Sequence, residues 1–428
     1  MYIRRLQVVN IRAVDNFDLR FTKEEAPGWH VILGENGAGK STLIRSLALA
    51  LAGPREAVAL RQEWSAWLRN GSTVNKIQVN YDACPEDSFS QGRPFAKTME
   101  VALEIKPTES SISGPNAHVV VTAGIKNADR SLWGTTAGWF SASFGPFRRF
   151  SGGDQAFDRL FYSNPRLASH LSAFGEDVAL TEGLRWLREL RVKQLEAPDR
   201  QSPLLDRLVN FLNNSNLLPN KAKIVEIKSD EVILRDAAGA LVRVEQMSDG
   251  YRSVLSMIFE ILRQMTKSYG VDELVKALAE DDSAVRLSGV VSIDEVDAHL
   301  HPTWQKEIGP WFTKCFPLVQ FIVTTHSPII CRNATTVWRL SNKDGEQVSS
   351  RVEGGVLDRL IYGSILDAYG TEMFGRDVAV SEESKILMNE LALLNRRALR
   401  SQLSTEDEGR MEDLRRILPT RSSDILPE

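Results

Sequence analysis

Cysteine is scarce in this chain: three in 428 residues, Cys84, Cys315 and Cys331, scattered without metal-ligand spacing. That excludes a disulfide framework and predicts a reducing compartment. No run approaches the ~18 apolar residues of a membrane-spanning helix. The start, Met1-Tyr2-Ile3-Arg4-Arg5-Leu6, lacks the apolar centre of a secretory signal. A cytoplasmic protein without a membrane partner is expected. Charge of one sign is missing too. The 52 basic and 56 acidic residues leave a formal net charge of −4, so nucleic-acid binding would need a local basic face. There is no sustained heptad pattern, which excludes a long coiled coil. No internal repeat occurs, and no Ser or Cys stands in a nucleophile context such as G-x-S-x-G.

What is present centres on Gly34-Glu35-Asn36-Gly37-Ala38-Gly39-Lys40-Ser41-Thr42. An apolar run, Trp29 to Leu33, precedes it and a helical pattern, Leu43 to Leu51, follows. This is G-x-x-x-x-G-K-S between a strand and a helix, the context that a phosphate-binding P-loop requires. Glycines let backbone N–H groups close around phosphates. The helix N-terminus adds orphan donors and the positive end of its dipole. Lys40 supplies a point charge to the phosphates and Ser41 a hydroxyl ligand for Mg²⁺. Residues 36–42 are therefore expected to hold a nucleoside triphosphate.

At this length two or three lobes are expected. Tyr2 to Val9 and Phe17 to Phe21 read as strands, the second alternating with period two. They are expected on a mixed edge of the nucleotide-binding sheet. The P-loop helix should stop at Gly53-Pro54. An insertion then runs roughly from residue 55 to 245. Gln62 to Arg69 reads as helical, Ile77 to Tyr81, Met99 to Ile105 and His118 to Val121 as strands, and Glu109 to Asn116 as an exposed loop. In the aromatic run Trp139 to Phe150 a strand feeds a loop, and Arg148 and Arg149 face either an anionic neighbour or solvent. Leu160 to Asn213 reads as helices broken near Pro198 and Pro203. Ile224–Ile227, Glu231–Leu234 and Leu241–Val244 form an antiparallel meander.

Met247-Ser248-Asp249-Gly250 opens a helix whose apolar residues, Val254 to Met265, recur at helical spacing. Alone, this start is equally an ordinary N-cap. Further on, Gly289 to Ile293 is an apolar strand ending in Asp294-Glu295, the Walker B arrangement. Asp294 is expected to hold Mg²⁺ through water and accept from Ser41, and Glu295 to polarise the attacking water. Another buried strand, Gln320 to Thr325, ends on His326, which is placed to donate to the γ-phosphate. Pro302 suits a helix N1 position. His299-x-His301 is a weaker candidate metal pair, since no third ligand completes it. Val337–Leu340 and Gln347–Val352 pair across Asn342-Lys343-Asp344-Gly345 as a hairpin. Leu387, Leu391, Leu394 and Ala398 then form an apolar stripe that packs either on its own head domain or on a partner. Thr405-x-x-Glu408 fits a capping box for a last helix, and 421–428 is expected to be a loose tail.

P-loop, Ser-Asp-Gly helix, Asp-Glu strand and strand-end histidine, in this order, resemble the ATP-binding-cassette ATPase heads of the SMC and RecF-like group. Asp-Glu-x-Asp-x-His-Leu-His-Pro and Thr-His-Ser-Pro are especially similar to the compact ATPases of bacterial anti-phage and overcoming-lysogenization-defect-type systems. Gly145-Pro146 with Arg148 and Arg149 also resembles a segment of those proteins, though no glutamine stands there to make it a Q-loop. The resemblance implies an α/β P-loop NTPase fold: an ABC-ATPase-like head with a mixed central sheet over residues 1–350, interrupted by a helical and β insertion lobe, then C-terminal helices over 351–428. It implies that Ser248 and Gly250 act in trans on ATP bound by a second copy, with Asp297 in the loop linking the two sites.

No Asp-x-Asp follows His326, so the nuclease domain that follows the head in the overcoming-lysogenization-defect family is not expected among these residues. The compact length resembles the ATPase subunit of Septu-type systems, which partners an HNH nuclease. The implied function is a slow ATPase with ATP and Mg²⁺ as cofactors, dimerising around ATP or forming a higher homo-oligomer, and regulating a separate nuclease subunit. The alternative is a RecF-like repair ATPase acting directly on DNA. A transporter subunit fits less well, because the Ser-Asp-Gly-Tyr start lies far beyond the P-loop and lacks the Gly-Gln ending.

Overall fold

The computed structural model describes residues 1–87, 98–108, 116–133, 138–148, 164–175, 180–196, 203–215, 218, 222–236, 238–343, 346–369, 381–399 and 404–418. The expected loop at 109–115, Arg149, Pro198, the hairpin residues Asp344 and Gly345, and the tail lie outside them. The chain divides into two compact units, Met1–Tyr362 and Gly363–Glu428.

The first unit is built on two sheets with a helix between them. A five-stranded antiparallel sheet has the order β2 (Val14–Arg20), β1 (Tyr2–Ile11), β4 (Lys76–Asp82), β5 (Thr98–Thr108), β6 (Asn116–Ala123). A six-stranded sheet runs β14 (Glu346–Arg351), β13 (Thr336–Lys343), β3 (Gly28–Gly34), β12 (Val319–Thr325), β11 (Gly289–Ile293), β7 (Ser141–Phe144). All its pairings are parallel except the β13–β14 hairpin. Helix α1 (Lys40–Ala52) touches both sheets and is buried almost all round. That suits its sequence, in which apolar residues are not confined to one stripe.

The first two strands thus do not border the nucleotide-binding sheet as expected. The reason is visible in their burial. In β1 the apolar Ile3, Leu6, Val8 and Ile11 are buried while intervening residues reach solvent, so one face packs on α1 and the other stays wet. Such strands belong in a half-solvated antiparallel layer. In β3, Trp29 to Leu33 are buried on both faces, the demand of a central parallel strand. The layers are stitched by Gln320 of β12, which accepts from Ile3 N at 2.8 Å and donates to Ile3 O at 2.9 Å. Strands from the expected insertion also belong to the main layers: β4 to β6 extend the β1 sheet, and β7 is an edge of the six-stranded sheet.

Helices α2 (Thr181–Glu196) and α3 (Leu204–Asn214) precede the meander β8 (Lys223–Ile227), β9 (Val232–Arg235) and β10 (Leu241–Arg243), a separate three-stranded sheet. Gln62 to Arg69 holds only a short 3-10 helix, Trp64–Trp67. Helix α4 (Asp249–Tyr269) buries its expected apolar residues, Val254 to Met265. Helix α5 (Pro302–Cys315) lays Phe312 against Trp29 and Phe321, with Gly309 where a Cβ would come within 3.1 Å of the Trp29 ring.

In the second unit, α6 (Glu382–Leu399) packs on α7 (Thr405–Ile417). Against expectation, most of the stripe packs within this unit: Leu387, Leu391 and Leu394 meet Met411, Leu414 and Leu418, and Glu390 accepts from Arg410 at 2.7 and 2.9 Å. The capping box sits one residue earlier than expected. Ser404 is the N-cap, and its hydroxyl and the Asp407 carboxylate exchange bonds with each other's backbone N–H.

Candidate nucleotide site

Four parallel strands, β3, β12, β11 and β7, end along the same edge of the six-stranded sheet. Leu33 lies opposite Thr325, Val323 opposite Ile293, and Ile293 opposite Phe144. The P-loop, His326, Asp294-Glu295 and Gly145–Arg148 therefore emerge together, at the carboxyl edge where open α/β sheets bind ligands.

The P-loop turns on glycines. Gly39, the N-cap of α1, has φ 106°, and a Cβ there would come within 2.7 Å of Val14. Gly34 must be bare for another reason: its Cβ would sit 2.3 Å from Leu340 O on the adjacent strand. Lys40 Nζ donates to Gly34 O at 2.8 Å and to Glu35 O at 2.9 Å, across the loop it serves. Burial pushes its ammonium below the usual lysine value, while the carboxylates of Glu295, Asp294, Asp297 and Glu35 pull the other way. A buried cation held by two carbonyls and facing acidic groups fits a polyphosphate with its metal. Asn36 and Gly37 are exposed, Ala38 and Thr42 buried, and Ser41 half-buried at the start of α1.

Across the edge, Asp294 is 2% exposed. Its Oδ1 accepts from Thr324 Oγ1 at 2.5 Å, and the same hydroxyl accepts from Glu295 N at 2.9 Å. Glu295 has φ 45°, the left-handed region, a conformation that surroundings must impose on a non-glycine residue. One position along, Thr325 Oγ1 donates to Asp297 Oδ1 at 2.5 Å, and His326 Nε2 lies 3.4 Å from Asp297 Oδ2. His326 is otherwise well exposed. Two consecutive threonines on β12 thus orient two carboxylates. Sequence reading passed over both, although Thr-Thr closing the apolar run Phe321 to Val323 is itself a polar signal at a sheet edge.

Arg148 is also placed here rather than in solvent. It is buried and donates to the backbone oxygens of Gly145, Asp294 and Glu295 and to Ser253 Oγ. Of the two readings left open for this arginine, the structure sets it among acidic groups.

Ser248 and Gly250 are held apart from the P-loop residues. Ser248 is the N-cap of α4 and its hydroxyl makes no capping bond. It lines a cleft of about 310 Å³ with Gly250, Tyr251, His299, Leu300, His301, Thr303 and Trp304. A Cβ on Gly250 would approach His299 O to 2.7 Å, so that glycine lets the helix start pack on the loop after Glu295. His301 serves as the N-cap of α5, its Nδ1 accepting from Thr303 N at 3.3 Å. Among the described residues no group of three or more His, Cys, Asp or Glu is arranged to hold a metal ion, so His299-x-His301 gains no third ligand. Nor, among them, is any helix long and apolar enough to cross a membrane. The three cysteines are buried, and none is in a disulfide.

Two family models match the chain: "AAA domain, putative AbiEii toxin, Type IV TA system" over residues 146–332 and "AAA domain" over residues 5–91. The Septu protein PtuA of Bacillus mycoides is 24% identical over 345 residues, 77% of this chain and 39% of that protein. Its namesake from Bacillus thuringiensis is 24% identical over 77% of this chain and 72% of its own length. The "Retron Ec83 probable ATPase" of Escherichia coli is 31% identical over 36% of this chain and 30% of that protein. The match thus spans well under half of the first and third of these relatives. Among solved structures, an Smc head bound to the C-terminal winged-helix domain of ScpA gives a TM-score of 0.49 at 16% identity, covering 83% of this chain and 98% of that one. The Smc head of Pyrococcus furiosus bound to the ScpA C-terminal domain gives 0.46 at 14%, covering 82% and 96%. By its motifs, sheet topology and matching family models, the chain carries a P-loop ATPase fold and is similar to the Septu PtuA proteins and the retron ATPases.

Proposed function

We propose that the protein binds ATP at residues 36–42, hydrolyses it slowly, and dimerises around it to regulate a separate effector, a nuclease subunit of an anti-phage defence complex. One observation carries this reading. Lys40, Asp294, Glu295 and His326 share one sheet edge, while Ser248 and Gly250 open onto a different cleft. A helix start whose N-cap hydroxyl makes no capping bond suits a phosphate presented by another copy. Each phosphate cluster is then neutralised only when the second chain arrives, so nucleotide acts as adhesive and hydrolysis releases it.

In this mechanism Lys40 leaves the carbonyls of Gly34 and Glu35 to engage the phosphates. Ser41 and Asp294 would hold Mg²⁺, which supplies charge neutralisation on the phosphate oxygens. Glu295 orients the attacking water and accepts its proton. His326, steadied by Asp297, donates to the γ-phosphate as charge moves onto it. The head, residues 1–350, would carry this chemistry in the cytoplasm, and the helical region, 351–428, would serve the complex. The effector comes from the kinship with PtuA and the retron ATPases and is an analogy.

The test is a native pull-down of tagged Glu295→Gln protein with ATP, followed by mass spectrometry. A stoichiometric nuclease subunit supports the proposal. A bare dimer that retains only DNA, with salt-sensitive affinity, replaces it with direct action on DNA.

A further inference from the structure

Arg148 is 4% exposed, so its charge sits out of water, where a guanidinium must have its donors met. They are met by three separate segments. Nη1 donates to Gly145 O at 2.8 Å and to Asp294 O at 2.8 Å, Nη2 to Glu295 O at 3.0 Å, and Nε to Ser253 Oγ at 2.9 Å. The planar fork of arginine can span such acceptors, whereas a lysine ammonium offers all its donors from one atom. Burial lowers the guanidinium to about 10, with Asp294, Asp297 and Glu295 opposing the shift. It therefore stays charged at neutral pH as a fixed counter-charge behind those carboxylates.

Two of these bonds join regions that have separate tasks. The Glu295 peptide units are gripped from both sides, its N–H by Thr324 Oγ1 and its carbonyl by Arg148, which accounts for how φ 45° is held. Ser253 lies in α4, five residues beyond Ser248, and is 1% exposed. A helix moves as a rigid rod over that distance. A displacement of its start at Ser248 is thus delivered through Ser253 and Arg148 to the Glu295 carbonyl.

We propose that Arg148 is a positioning residue for hydrolysis. It holds Glu295 in its left-handed conformation and ties that conformation to the placement of α4, so docking of a second copy's nucleotide at Ser248 sets the water-polarising carboxylate. This rests on the roles proposed above for Glu295 and Ser248. It assigns Arg148 neither to the phosphates nor to the metal.

Arg148→Lys and Ser253→Ala test it beside wild type and Lys40→Ala. The measurements are affinity for a fluorescent ATP analogue, ATP-dependent dimerisation by light scattering, and kcat and KM separately. Nucleotide affinity and dimerisation should stay within about twofold of wild type, while kcat falls by about 10- to 100-fold in Arg148→Lys and about 3- to 10-fold in Ser253→Ala, with little change in KM. If kcat stays within about twofold of wild type in both variants, or falls only in step with affinity and dimerisation, the proposal is overturned. Should Arg148→Lys not fold, Ser253→Ala, which removes one hydroxyl, decides alone. Failure of the underlying ATPase reading looks different: wild type itself would not turn over, or Lys40→Ala would bind the analogue as tightly as wild type.

Discussion

Thr324 and Asp294 are joined by a 2.5 Å hydrogen bond in which the threonine hydroxyl donates to the carboxylate, while its oxygen also accepts from the Glu295 N–H. One small side chain on β12 thereby orients the acidic group at the end of β11 and secures the residue after it. Groups that orient ligands in this way are worth about 10- to 100-fold in metal affinity or activity when removed.

Thr324→Val keeps the shape and removes the hydroxyl. ATPase activity titrated with Mg²⁺ should show a half-saturating concentration higher by about tenfold. An unshifted Mg²⁺ curve would mean that Asp294 needs no such support.

Lys40→Ala and Glu295→Gln should part ways. The first loses the buried point charge and with it ATP binding; unchanged ATP affinity would remove the P-loop assignment. The second retains ATP and accumulates as a closed dimer, with turnover lower by about 10²- to 10⁴-fold, the range for loss of a general base. Equal turnover would dismiss Glu295 from that role.

Action of Ser248 in trans makes a prediction that no single-chain site shares. Lys40→Ala and Ser248→Arg should each be inactive. Random mixing of the two leaves intact composite sites in half the dimers, one per dimer, so about a quarter of wild-type activity returns. A mixture as inactive as its parts would refute the shared site.

Two buried histidines set the acid limit of the fold. His170 lies between Ser141 and Ser143 and is pushed down to about 3 by burial; His30 bonds Thr336 and Ala26 O and is pushed down to about 4, again chiefly by burial. The unfolded chain takes up protons near pH 6.5 that the folded chain refuses. Stability is thus fully present above that pH and falls below it, by about 1.4 kcal/mol per unit for each histidine, until the folded values are reached. Urea unfolding at a series of pH values between 7.5 and 5 checks this, and His170→Asn should flatten the slope. An unaltered slope would assign the acid sensitivity elsewhere.

What sequence could carry about the site was whatever depends on neighbours along the chain. Gly-x-x-x-x-Gly-Lys-Ser between a strand and a helix must place N–H groups and a lysine on one turn, and an apolar strand ending in Asp-Glu must deliver carboxylates at a sheet edge. Both follow from local geometry, and both are found. The stop of α1 at Gly53 and the β8–β10 meander were legible for the same reason. The capping box was misplaced by one residue because Ser404-Asp407 and Thr405-Glu408 satisfy the same spacing, and only backbone angles choose between them.

Tertiary structure decided which distant segments meet. Nothing local to Tyr2–Ile11 says that it pairs with Lys76–Asp82 rather than bordering the P-loop strand, since a half-buried strand accepts any partner that covers its apolar face. Nothing local to Arg148 says that its donors will end on Gly145, Ser253, Asp294 and Glu295. A guanidinium at the end of an aromatic run serves equally on a wet turn, and its role appears only when β7, α4 and β11 close around it and exclude water. Short-range chemistry thus named the groups proposed to meet phosphate, and long-range packing chose the groups that hold them in place.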